Sequence, residues 1–173
     1  MMKKFLLCIL TFMAFLPAIY AQEDLLTRIR EANMPSSLKA SWHQVKQSPL
    51  LADKLESSGK LWLQSPDKIR WEMTSPHRKV SILDGENGRG RFKLPSERDF
   101  KASVLESDIY TVTLVPLRRD LRQLFRQILL KVDKETLMVR SILLTSGEGE
   151  WTLIEFSNLE PGVRLSADIF EKE

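Results

Sequence analysis

Cysteine is almost missing from this 173-residue chain, and where the one copy stands matters. Cys8 lies inside the apolar run Phe5 to Leu16, ahead of any processing site, so the remainder of the chain holds no disulfide, no thiol nucleophile and no thiolate metal site. No cysteine follows the apolar run where a lipid-acceptor residue would stand. Histidine is nearly as scarce. His43 and His77 are the only two, and no His/Asp/Glu cluster has metal-site spacing. Net charge is small: without Lys3 and Lys4 the formal +3 falls to +1, which gives no reason to expect nucleic-acid binding. No serine sits in a nucleophile elbow. The glycine-rich stretch Asp84 to Gly90 is not followed by a helix, so it reads as a hairpin and not as a phosphate loop. No constellation for catalysis emerges, no cofactor is implied, and the expected class is a binding protein and not an enzyme.

What the chain does have begins with a secretory pattern. Met1 to Lys4 is basic, Phe5 to Leu16 is apolar but short for a bilayer span, and Pro17 with Ala18-Ile19-Tyr20-Ala21 offers cleavage before Gln22. The expected organisation is a signal peptide over residues 1–21 and one domain over 22–173. The product is then periplasmic and carries no lipid anchor.

Asp24 to Ala32 places Leu25, Leu26, Ile29 and Ala32 at helical spacing, and Asn33-Met34-Pro35 stops the pattern. This short amphipathic helix suits a cap on the end of a sheet. Beyond it the texture becomes alternation. Leu38, Ala40 and Trp42 share one parity, as do Gly59, Leu61 and Leu63, and then Ile69, Trp71 and Met73. Such runs are half-buried antiparallel strands. Further strands are expected over Val80 to Leu83, Gly90 to Leu94, Ile109 to Val115, Leu124 to Val132, Leu137 to Thr145 and Trp151 to Asn158. Arg118 to Arg126 fits a helical stripe as well as a strand, and the stretch from Glu86 to Ser107 is expected to be poor in strands. The basic run Arg118, Arg119, Arg122 and Arg126 fits either a solvated surface or contact with anionic head groups or an acidic partner.

Many strands with one convincing helix mean a large twisted sheet that must bury a face. Trp42, Trp62, Trp71 and Trp151 are many tryptophans for this length. They either fill a core or line an apolar cavity for a lipid-like ligand, and composition leaves both open. Trp62 has the opposite parity from Leu61 and Leu63.

The order of features carries a resemblance. Ser41-Trp42-His43-Gln44-Val45-Lys46, then Gly59-Lys60-Leu61-Trp62-Leu63, then Ser65-Pro66-Asp67-Lys68-Ile69-Arg70-Trp71-Glu72 resembles the opening strands of the LolA family of periplasmic outer-membrane lipoprotein carriers. Ile82-Leu83-Asp84-Gly85 looks like that family's Asp-Gly turn, and Tyr110 to Pro116, Ile128 to Asp133 and Trp151 to Asn158 follow in order. The resemblance implies a mainly β fold: an unclosed, strongly curved antiparallel half-barrel with an N-terminal helix and a reduced helical lid. It implies a monomeric carrier whose apolar interior takes up the acyl chains of lipoproteins released by an inner-membrane transporter and delivers them to an outer-membrane acceptor. The lipid-binding positions implied are Trp42, Leu61, Leu63, Ile69, Trp71, Met73 and Ile82. Ser65 stands where many carriers have an arginine. The shortened region before Tyr110 also fits a specialised relative, a binding module or envelope sensor for another lipid-linked ligand.

Overall fold

A computed structural model of the protein describes residues 23–66, 68–84 and 99–171. Helix α1 spans 23–32. The strands are β1 (Ser37–Gln47), β2 (Leu55–Gln64), β3 (Lys68–Ser75), β4 (Lys79–Asp84), β5 (Phe100–Glu106), β6 (Tyr110–Pro116), β7 (Gln127–Val132), β8 (Val139–Thr145) and β9 (Trp151–Pro161). Helix α2 (Arg119–Leu124) links β6 to β7, and a 3-10 turn, Ala167–Phe170, follows β9.

All nine strands belong to one sheet in the order β4-β3-β2-β1-β9-β8-β7-β6-β5, every pairing antiparallel. Among the described residues β4 and β5 are the two edges and do not pair with each other, so the sheet is not closed into a barrel. This is the mostly β, unclosed antiparallel architecture that the family resemblance implies.

The alternating residues sort onto two faces. The inner face is the one α1 covers. Ile29 packs there with Val112 and Val132 as a buried cluster, joined by Leu25, Leu26, Val104, Tyr110, Leu114, Leu130, Leu137 and Val139. The helix is thus the expected sheet cap, and its apolar stripe lies over the β5–β8 half. One side chain fixes it there. Asn33 donates to the carbonyls of Ile29 (2.7 Å) and Leu137 (2.8 Å) and accepts from the Val139 amide (2.8 Å), so it closes the helix and supplies two partners to the β7–β8 connection.

Three expectations need correction. Phe100–Glu106 is a full strand, not among those expected, inside the stretch expected to be poor in strands. Phe100, Ala102 and Val104 face inward, but apolar Leu105 on the other parity blurs the alternation. The ambiguous basic run is helical only over Arg119–Leu124, and β7 starts at Gln127 instead of Leu124. The expected strand Gly90 to Leu94, the Asp84-Gly85 turn beyond Asp84, the signal segment and most of the expected reduced lid lie outside the described residues.

Candidate functional site

Cross-strand register decides which side chains can meet, because directly opposed residues project from the same face. Trp42 opposes Gly59 and Phe156; Gly59 opposes Met73; Ala40 opposes Leu61, which opposes Trp71; Leu38 opposes Leu63, which opposes Ile69. The expected residues Trp42, Leu61, Leu63, Ile69, Trp71 and Met73 therefore occupy one continuous inner surface across β1, β2 and β3.

Ile82 does not join them. It opposes Arg70, on the outer face, while its neighbour Leu83 opposes Ile69 and takes the inner position. The short apolar pair Ile82-Leu83 carries no parity signal of its own, and the β3–β4 register chooses Leu83.

The floor of this surface is set by a tryptophan lying over a glycine. Trp42 is only 2% exposed, and its indole N–H donates to the Lys60 carbonyl at 3.1 Å, which satisfies the one polar atom of the ring. Its ring stacks on Trp71 with centroids 4.6 Å apart and planes 26° apart. A Cβ at position 59 would sit 1.8 Å from the Glu72 carbonyl oxygen and 2.8 Å from the Trp42 ring, so only glycine fits.

Around that floor, burial falls off. Leu61, Leu63, Ile69, Trp71 and Met73 are half-buried, whereas Leu38, Ala40 and Trp42 are buried. The half-buried surface continues through Ile154 and Phe156 on β9, Ile142 and Leu144 on β8, and Ile128 and Leu130 on β7. Sequence reading missed these six. Their strands read as nearly unbroken apolar runs (Ile128-Leu129-Leu130, Ile142-Leu143-Leu144, Leu153-Ile154), in which both parities look equally able to face inward. A surface so apolar and only half-covered suits an apolar ligand, since each methylene moved out of water contributes about 0.8 kcal/mol.

The outer face has different chemistry. Arg70, 6% exposed, donates to one Glu72 carboxylate oxygen through Nε (3.1 Å) and Nη2 (2.8 Å), and through Nη1 to the Ile169 carbonyl (2.9 Å). Its guanidinium lies 5.6 Å from the Trp62 ring centre. Arg78 donates to the other Glu72 oxygen at 3.2 Å. The Arg70 hydrogen bond, then that of Arg78, holds the Glu72 carboxyl below the usual carboxylate range despite its partial burial. This cluster clasps the C-terminal turn, whose Phe170 is buried, against β3.

Comparison with known proteins places this geometry. The family described as "Outer membrane lipoprotein carrier protein LolA" matches residues 33–91, a range that contains β1 to β4 and all seven expected lipid-binding positions. An outer-membrane lipoprotein carrier protein of Yersinia pestis is 39% identical over 66 residues, covering 38% of this chain and 31% of the relative. One of Methylococcus capsulatus is 24% identical over 162 residues, covering 78% and 76%. This chain thus spans about a third of the Yersinia relative in the matching part. Among solved structures, Pseudomonas aeruginosa MucB in its complex with MucA shares the fold, with a TM-score of 0.52 and 15% identity over 87% of this chain and 60% of that one.

Proposed function

We propose that this LolA-like protein is a periplasmic carrier that holds the acyl chains of lipoproteins on its inner face and ferries them from the inner to the outer membrane. The observation that carries the reading is the half-buried apolar surface of Leu61, Leu63, Ile69, Trp71 and Met73 over the Trp42–Gly59 floor, all within the stretch that matches the carrier family. On this reading residues 1–21 direct export and are removed, and residues 22–173 act as one lipid-binding domain. An inner-membrane transporter loads the carrier and an outer-membrane acceptor unloads it. The work is binding and release, with no bond made or broken. Leu83 replaces Ile82 among the proposed lipid contacts.

Transfer of this kind needs a cavity whose affinity is modest for each chain segment. Burial of a methylene contributes about 0.8 kcal/mol, so several acyl chains on an apolar sheet are held strongly, and a surface left half-covered lowers the barrier to handing them on. Mass spectrometry of material co-purified with the protein from the periplasm tests the reading: triacylated or diacylated lipoproteins are the expected cargo. Recovery of the protein only in detergent-solubilised membrane, or free of any acylated molecule, would sink it.

A second reading is a binding module or envelope sensor for another lipid-linked ligand. The fold likeness to MucB, a protein solved in complex with MucA, favours it. A neighbouring gene for a membrane-bound regulator, in place of lipoprotein-release transporters, distinguishes the two.

A further inference from the structure

The strand directions bring four connections to one end of the sheet, and two of them, beside the β3–β4 and β8–β9 turns, matter here. Lys46 opposes Thr152, Thr152 opposes Leu144, Leu144 opposes Ile128, and Ile128 opposes Leu114. The β1–β2 loop and the β6–α2–β7 connection therefore leave the sheet at the same end.

These connections display side chains that the fold does not use. Leu50 is 94% exposed in the first; Leu117 and Leu124 are 52% and 62% exposed in the second. Residues 117–126, Leu-Arg-Arg-Asp-Leu-Arg-Gln-Leu-Phe-Arg, carry four arginines against one aspartate. Arg118 is committed, donating to Asp120 and to Asp99. Among the described residues, Arg119, Arg122 and Arg126 are exposed and form no ion pair, so three like charges stand beside two bare leucines. Phe125 turns inward and stacks on Phe100, centroids 6.2 Å apart, which fixes the segment while its charged side stays outward.

We propose that this end of the sheet docks on a bilayer surface rich in anionic phospholipid. Charge complementarity selects the occupant. Lipid phosphates can each take a guanidinium fork, and they arrive at a density that relieves repulsion among the three arginines. Leucines interspersed with the arginines suit insertion at the boundary between head groups and acyl chains, which demands no matching groove. The inference is separate from cargo binding, since none of these residues belongs to the inner face.

Sedimentation with vesicles tests it, using the protein as the cell processes it. Vesicles of phosphatidylglycerol mixed with phosphatidylcholine should bind at low salt, and vesicles of phosphatidylcholine alone should not. Changing Arg119, Arg122 and Arg126 together to serine should lower partition on the order of a hundredfold, at roughly fivefold for each arginine. The pair Leu117→Ser and Leu124→Ser should weaken binding and make what remains more sensitive to salt. Ile69→Glu should bind vesicles normally, which separates failure here from failure of the carrier reading. Equal binding to both kinds of vesicle, or undiminished binding by the triple variant with an unchanged circular dichroism spectrum, overturns the proposal. So does an absence of vesicle binding coupled with an acidic protein that the wild type retains and the triple variant loses.

Discussion

Trp42 and Trp71 stack across the intervening strand β2, 4.6 Å between ring centres, because position 59, directly opposite Trp42 on that strand, is glycine and leaves its ring room. With no side chain there, the Trp42 ring settles over the β2 backbone, and its N–H reaches the Lys60 carbonyl. The pair joins a fully buried ring to a half-buried one, so it is the place where the floor of the inner face passes into its open surface.

Gly59→Ala should therefore be costly for so small a change. The added methyl meets a backbone oxygen at 1.8 Å, which no rotamer can avoid, and overpacking of this kind typically costs about 1–3 kcal/mol. Urea unfolding should show the loss as a lower midpoint, and tryptophan fluorescence should report the disturbed ring pair.

Ile69→Glu should leave the protein folded and remove acyl binding. The position is half-buried on the inner face, so the carboxylate can reach water in the empty protein, but a ligand laid over it would bury an unpaired charge. Fatty-acid displacement of a bound fluorescent lipid is the measurement. Unchanged displacement alongside a normal circular dichroism spectrum would mean the surface is packing core.

Acid should loosen the C-terminal clasp. Glu72 has its carboxyl held low by Arg70 and then Arg78, so its folded-state value lies below the unfolded one. The stabilisation is fully present above the unfolded carboxylate range, about pH 4.3, and is lost as pH falls through the lower folded value. Glu72→Gln should remove that part of the pH dependence and cost about 2 kcal/mol at neutral pH, the scale of hydrogen bonds to charged groups. Thermal unfolding of both proteins across the acid range checks the sign.

Asn33→Ala should free α1 from the β7–β8 connection. Three hydrogen bonds are lost and the Val139 amide loses its acceptor, a loss of about 1–3 kcal/mol if water does not replace it. Hydrogen exchange at Val139 should speed up far more than exchange in β1.

Much of this fold was legible because its strands alternate cleanly where one face is wet. The parity of Leu38, Ala40 and Trp42, and of Ile69, Trp71 and Met73, is visible in the residues themselves, and the register places both sets together. Where both faces are apolar, periodicity has nothing to count. Ile128-Leu129-Leu130 and Ile142-Leu143-Leu144 could present either parity, and Ile82 and Leu83 are told apart only by which of them lies opposite Ile69. β5 escaped notice for a related reason: Ala102 is small on the inner side and Leu105 is large on the outer, so the contrast between faces is weak. The outer clasp was illegible altogether, since Arg70 and Ile169 are 99 residues apart and meet only through the completed sheet.

Among the described residues β4 and β5 end the sheet without pairing to each other, which bears on how the proposed carrier would accommodate its cargo. A closed barrel fixes its girth by counting hydrogen bonds, and widening it means breaking a ladder. Here eight ladders hold the nine strands, and no ladder joins the two edge strands. A sheet so connected can change curvature by small torsions shared among its strands without breaking a ladder. On the proposed carrier reading, capacity would be set by elasticity, and bulkier cargo would meet a gradual resistance instead of a wall.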